Sequence, residues 1–238
     1  MKDKFKDKTG EEFDLSAIAI PHREELQEFI GKVIENEFKG KLIEVIRVLE
    51  IGCGTGYTTS IILDSDSRVK VTAVDNEPKM LKQARKQLSS FIAEKRVELI
   101  EADALEFIKK QKSESYDVFA SALTLHNFNR DCRERIIKEI FRVLKVEGIF
   151  INADKYALDN KLKHEKSLDW QLDQFKNKFS KINRPDLIDE WINHYLEDEK
   201  PGIIMKEADS IALMKNCRFK DINIMFRKHM EAILVAKK

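Results

Sequence analysis

The chain is sparing with cysteine, proline and glycine, has no excess of either charge, and contains no long apolar run. Its three cysteines, Cys53, Cys132 and Cys217, are odd in number, far apart and form no CxxC pair. That excludes a disulfide framework and a zinc knuckle, and favours a reducing compartment. Four prolines and eight glycines in 238 residues exclude collagen-like and low-complexity chains. Lys and Arg total 43 against 42 Asp and Glu, a net charge of +1. With no basic surplus to grip a phosphate backbone, nucleic acid is not an expected partner. No stretch approaches the roughly 20 apolar residues that span a bilayer, and the opening MKDKFKDKTGEEF has no signal-peptide core. A cytoplasmic protein without membrane contact is expected, as a monomer or homodimer.

What is present is a charged surface, 36% of residues, over 42% hydrophobic residues, enough for a packed core. The polar opening is predicted to be loose. Leu26, Phe29, Ile30, Val33, Ile34 and Phe38 then fall at helical spacing, with Gly40 as the stop. From residue 47, strand and helix signals alternate. Strands are predicted at 47–51, 70–75, 96–103, 116–123 and 149–153. Pro78 opens one helix, and another, carrying Ile136, Ile137, Ile140, Phe141 and Leu144, is expected to stop at Gly148. Such alternation predicts βαβ crossovers and a parallel sheet. The runs 221–226 and 232–236 are separated only by RKHME, so they should pair antiparallel.

Between the fifth strand and this hairpin, residues 157–202 read as helices rich in large side chains, among them Trp170, Phe175, Trp191 and Tyr195. This insertion is expected to cap the crevice at the sheet edge; the alternative is a helical pair that thickens the core. The domain limits are thus 1–156 with 203–238, and 157–202 for the cap. The fold class is α/β: a doubly wound, Rossmann-like sheet.

The sharpest local feature is VLEIGCGTGY, a strand running into glycines. Glycine lets the backbone pass close to a nucleotide. The dinucleotide fingerprint G-x-G-x-x-G fails, because the third glycine is Gly56 and Tyr57 stands where the fingerprint needs one. A pyrophosphate cradle is disfavoured. Asp75, at the end of the second strand, can accept hydrogen bonds from both hydroxyls of a ribose. Asp103, in EADA, can accept from an adenine amine, with the Ala104 backbone N–H as neighbouring donor. Either aspartate could instead cap a helix, and Glu50 could be a strand carboxylate satisfied by backbone.

VLEIGCGTG, AVDNEPKML, EADA and YDVFASALTLH, in this order, resemble the class I S-adenosylmethionine-dependent methyltransferases over about residues 45–156. The resemblance implies a seven-stranded sheet, mostly parallel with an antiparallel last strand, and S-adenosyl-L-methionine as cofactor. It also implies roles. Gly52, Gly54 and Gly56 would border the methionine and ribose, and Glu50 would orient the amino group. Asp75 would hold the ribose, Met80 would pack on the adenine face, and Asp103 with Ala104 would read its edge. Ala122 and Leu123 would offer backbone to the methionyl part.

A sulfonium is an activated methyl donor, so the protein need only align the acceptor and remove a proton where there is one. His126, beyond the fourth strand, is the candidate base, or else a locally bonded histidine that shapes the pocket. His22, Asp154 and Lys155 are candidate substrate contacts, and no residue set argues for a metal. There is no D/N-P-P-Y/F tetrapeptide for a planar amide and no Pro-Cys for pyrimidine attack. The expected reaction is methyl transfer to an O or N atom of a small organic acceptor. Two alternatives stand beside it. One is a carboxy-S-adenosylmethionine synthase, suggested by TLH-x-F, NADKY and the insertion, with Arg184 as the candidate cation. The other is a cofactor-binding protein without chemistry.

Overall fold

The strand signals become β1 (Ile46–Ile51), β2 (Val69–Asp75), β3 (Val97–Glu101), β4 (Tyr116–Ala122), β5 (Leu144–Lys155), β6 (Lys220–Lys228) and β7 (Glu231–Lys237). The computed structural model describes residues 20–238, and the loose opening predicted from the sequence lies outside them. The seven strands form one sheet in the order β3-β2-β1-β4-β5-β7-β6. All pairs from β3 to β5 are parallel. β7 runs antiparallel to both β5 and β6, so the reversed strand is slotted inside the sheet edge rather than laid on it.

The helices are α1 (Arg23–Phe38), α2 (Tyr57–Asp64), α3 (Pro78–Gln87), α4 (Ser89–Ala93), α5 (Ala104–Lys110), α6 (Arg130–Val143), α7 (Lys161–Lys181), α8 (Ile188–Glu197) and α9 (Glu207–Asn216). Strand residues divide by the period of two. Val48, Val118, Ala120 and Ile151 pack with Leu26 and Ile30 of α1 and Ile62 of α2 on one face. Leu49, Phe119, Phe150 and Leu234 pack with Ile108 of α5 and Ile136 of α6 on the other. Burial on both faces is why these strands read as apolar runs rather than alternating ones.

One boundary differs from expectation. Gly148 does not stop the helix before the fifth strand; α6 ends at Val143 and β5 begins at Leu144. The reason lies in the pairing. Tyr116 faces Leu144 but Val118 faces Ile149, so β5 carries an irregular stretch, and Gly148 lies within it.

The insertion builds a core of its own. Phe175 and Phe179 of α7 pack with Leu187, with Trp191 and Tyr195 of α8, and with Met230 of the β6–β7 turn. A second tie is a ring stack: Trp170 lies 3.8 Å from His229 and 6.5 Å from His22, linking α7 to the hairpin turn and to the start of α1.

Phe119 is fully buried and stacks on Phe150 at 5.1 Å. Phe119→Ala is expected to lower the unfolding free energy by about 3–5 kcal/mol, read from urea denaturation followed by circular dichroism. A loss below about 1 kcal/mol would contradict the packing described.

Candidate active site

The chain runs out along β1, β2 and β3, then crosses to β4 and β5 on the far side of β1. The crevice at this reversal is where open α/β sheets bind ligands. A cavity of about 840 Å³, counting the space at its mouth, opens there. Of the cofactor contacts expected from the sequence, Gly52, Gly54, Asp75, Met80, Ala104, Ala122 and Leu123 line it. Arg23, Gln27, Tyr57, Thr58, Thr124, Asn127 and Phe128 line it too and were missed. The signal for Gln27 was present: it shares the stripe of Leu26 and Ile30 on α1, where a polar residue needs a reason to be buried. Its Nε2 donates to Thr58 Oγ1 at 2.8 Å.

The glycine turn is held by Asp75. Gly54 N donates to Asp75 Oδ2 at 2.8 Å and Glu77 N to Oδ1 at 2.9 Å, fastening the loop after β1 to the end of β2. Burial pushes the Asp75 carboxyl up from its ordinary value, against the pull of these N–H groups. Gly52 has φ +72°, and a Cβ there would lie 2.1 Å from Thr124 Oγ1, so no side chain fits. Gly56 precedes α2 and packs on Ala84 and Leu88, outside the cavity wall.

Glu50 sits behind the wall, buried. Thr59 Oγ1 donates to its Oε2 at 2.6 Å, while Oε1 has no partner among the described residues. Burial pushes this carboxyl up to about 8. Asp103 lies two residues beyond β3, exposed, and accepts from Glu106 N at 3.1 Å as the cap of α5. Its neighbours Ala102 and Ala104 reach the cavity. Cys53 is buried, which pushes its thiol well above the ordinary value and keeps it inert.

A second cavity, about 550 Å³ counting the open space at its mouth, abuts the first and shares Arg23, Leu123 and Asn127 with it. His126 lies in its wall, on the short helical turn 125–127. Asp154, at the end of β5 and fully buried, takes a short contact from His126 Nδ1. Asp154 also accepts from Leu125 N at 2.9 Å, His126 N at 3.3 Å and Asn152 Nδ2 at 3.2 Å. On the opposite side of the ring, His126 Nε2 is 3.6 Å from Asp198 Oδ2.

Lys155 lines this cavity, but its charge is engaged. Its Nζ is 2.6 Å from Glu199 Oε1 and 3.7 Å from Asp198 Oδ2, and sits 3.4 Å from the Tyr195 ring centroid. His22 lines neither cavity; its Nδ1 is 3.3 Å from Glu25 Oε2. Trp191, His194, Tyr195, Asp198 and Glu231 complete the second wall and were missed as site residues. Glu231 carried a signal: an acid opening an apolar strand. It pairs in register with Lys155 and is buried, which pushes its carboxyl up to about 7.

Residues 48–148 match a family described as a methyltransferase domain. The carboxy-S-adenosyl-L-methionine synthase of Nautilia profundicola is 24% identical over 209 residues, 84% of this chain and 80% of that one. The demethylmenaquinone methyltransferase of Leptospira interrogans is 39% identical over 128 residues, 53% of this chain and 48% of that one. Among solved structures, a CurJ carbon methyltransferase superposes with a TM-score of 0.63 at 17% identity. That match covers 89% of this chain, which spans only 53% of the longer CurJ chain. Residues 48–148 are thus a methyltransferase domain, and the crevice, the glycine turn and the strand order are those of the class I S-adenosylmethionine-dependent fold. S-adenosyl-L-methionine is its cofactor, and the residues fit it. The unpartnered Glu50 oxygen suits a cation, Asp75 faces the cavity as an acceptor, and the bare Gly52 admits close approach.

The raised Glu50 carboxyl has a testable sign. It holds its proton in the folded state and not in the unfolded one, so stability falls as pH rises from 4.5 to about 8. Ligand-free Glu50→Gln is therefore expected to be more stable than wild type at pH 8, with the difference vanishing below pH 4.5. Urea titrations across this range that ran parallel for the two proteins would refute the assignment.

Proposed function

We propose that the chain transfers a methyl group from S-adenosylmethionine to an oxygen or nitrogen atom of a small organic acceptor seated in the second cavity. One observation carries this reading. The two cavities share Arg23, Leu123 and Asn127, and His126, braced by Asp154, stands in the second beside that seam.

When bound, the cofactor supplies a methyl group activated on a sulfonium sulfur. Asp75 receives the ribose hydroxyls; each of its oxygens already takes one backbone N–H and keeps a further lone pair. Glu50 receives the ammonium through its unpartnered oxygen. Gly52 and Gly54 border the methionine, Met80 packs on the adenine, and the Ala104 N–H meets its edge. The backbone of Ala122 and Leu123 meets the methionyl part.

On the acceptor side, Asp154 accepts from the His126 Nδ1–H, which leaves the ring lone pair on Nε2. Nε2 would take the proton that the acceptor gives up on methylation, with S-adenosylhomocysteine as the leaving group. Asp198, 3.6 Å away, then faces the imidazolium. Residues 157–202 act as the cap: α8 supplies Trp191, His194 and Tyr195 to the wall and excludes water.

The long match to the Nautilia synthase favours a second reading, in which the cofactor itself is modified. That reading needs a cation near the methyl carbon. Arg184 does not supply it, since its guanidinium is held by Asp186 at 2.9 Å and lines neither cavity. Arg23 lines both.

The test is incubation with methyl-labelled S-adenosylmethionine and a panel of small phenols, alcohols and amines. Label in a small product is expected. Label confined to the cofactor, with a carboxylated cofactor retained in native mass spectrometry, would select the second reading. His126→Gln is expected to lower kcat by about 10²–10⁴-fold while S-adenosylhomocysteine affinity stays within about twofold. Unchanged turnover would remove His126 as the base.

A further inference from the structure

The wall of the first cavity carries acids but a single cation. Asp75 and Glu77 line it, and Arg23 is the sole lysine or arginine among its described residues. S-adenosylmethionine brings two positive centres, the sulfonium and the ammonium, and one negative, the methionine carboxylate. Glu50 and Asp75 answer the ammonium and the ribose, and neither can answer the carboxylate.

The glycine turn cannot answer it either. Gly52 N and Cys53 N donate to Val74 O, Gly54 N to Asp75 Oδ2 and Gly56 N to Cys53 O. Such N–H groups are what an anion-binding loop offers its ligand, and here they are spent. Neighbouring side chains are engaged in the same way. Gln27 Nε2 donates to Thr58 Oγ1 at 2.8 Å, Thr124 Oγ1 to Ala122 O at 2.9 Å and Asn127 Nδ2 to Leu123 O at 3.3 Å.

Arg23 meets the requirement. It opens α1 and is only 7% exposed, yet it lines both cavities. Gln27 follows one turn later on the same face and lines the first cavity too, so α1 turns that face to the crevice. The Arg23 charge is felt within the first wall: burial, Glu24 and Glu28 push the Tyr57 hydroxyl up, and Arg23 pulls it down. A guanidinium has five N–H donors in a planar fork, so it can keep a protein partner and still grip a carboxylate. Its place also suits. The methionyl part is read as lying against Ala122 and Leu123, and Leu123 shares with Arg23 the seam between the cavities.

We propose that Arg23 holds the methionine carboxylate of the cofactor and so anchors the methionyl arm at the seam between the two cavities. The inference rests on the first cavity being the cofactor site, and it needs neither His126 nor an acceptor. With the ammonium on Glu50 and the carboxylate on Arg23, the arm loses the freedom to turn its sulfur away from the second cavity.

The test is calorimetric titration of the intact protein with two ligands that differ only in the carboxylate, S-adenosylhomocysteine and decarboxylated S-adenosylhomocysteine. Wild type is expected to prefer S-adenosylhomocysteine by about 10–100-fold, the range for hydrogen bonds to a charged group. In Arg23→Met the preference is expected to fall to about twofold or less, with affinity for the decarboxylated ligand held within about twofold. Arg23→Lys, which keeps the charge without the fork, is expected to fall between the two. An equal loss for both ligands in Arg23→Met would make Arg23 a support of the wall and overturn the proposal. A preference that survives in Arg23→Met would overturn it as well, by placing the carboxylate elsewhere. So would a loss confined to carboxy-S-adenosylmethionine, which would give this cation to the second reading. Should Arg23→Met fail to fold by circular dichroism, Arg23→Lys decides, and an undiminished preference there overturns the proposal. Wild type that binds neither ligand would refute the cofactor site itself. Wild type that binds both equally would refute the role of Arg23 alone and leave that site standing.

Discussion

Asp154 is a fully buried carboxylate, and much of the site is arranged to satisfy it. A bare ion in that position would cost several kcal/mol or more. It is met instead by two backbone N–H groups of the turn after β4, by the Asn152 amide and by His126 Nδ1. Asn152 is in turn bonded to the buried Tyr156 hydroxyl at 2.7 Å. The consequence is geometric. The turn 125–127 cannot swing away without stripping a buried charge of its donors, so the loop that carries His126 is tied to the end of β5. Loops at sheet edges are usually the mobile part of an α/β crevice; here the loop that carries His126 is fixed by the sheet.

The same economy of charge anchors the insertion. Lys155, one residue further along β5, reaches Asp198 and Glu199, just after α8, and His164 of α7 meets Glu199 at 2.9 Å. These ions are largely buried, so each would be costly alone and together they are compensated. α7 and α8 thus hold themselves together with an apolar cluster that also takes in Met230, and Lys155 fastens the end of α8 to β5. Aromatic packing gives this unit its rigidity, while the ionic contact sets where it sits. That division explains how a helical pair with its own core can still place Trp191 and Tyr195 at a defined height above the strand ends.

Much of the cofactor half was legible in the residues because its determinants are local. A strand, a glycine turn and a helix occupy adjacent positions, so Gly52, Gly54 and Asp75 could be placed by spacing alone. Where the outcome differed, long-range structure decided. Gly148 looked like a helix stop, yet the register between β4 and β5 absorbs it in a strand irregularity. Asp103 is a different case, decided locally: it accepts from Glu106 N, three residues on, as the cap of α5, one of the two readings its position allowed. The second cavity was legible only in part. His126, Asp154 and Lys155 sit at strand ends that the pattern revealed. Glu231 and Asp198 arrive from segments 76 and 43 positions beyond Lys155, and no periodicity links a hairpin acid to a histidine so many elements earlier.

This contrast bears on how such a chain acquires its chemistry. The family match ends at residue 148, before Asp154, Trp191, Tyr195 and Glu231. It contains the glycine turn, Asp75 and even His126, but none of the side chains that close the far wall of the second cavity. A shared cofactor platform with a separately built acceptor wall is how one fold hosts many reactions. It also accounts for relatives whose names describe different outcomes, a carboxylated cofactor in one and a methylated quinone precursor in the other. The platform fixes the donor. The wall opposite it is built by residues that β5, α8 and β7 bring together, Lys155, Trp191, Tyr195 and Glu231, all outside the shared domain.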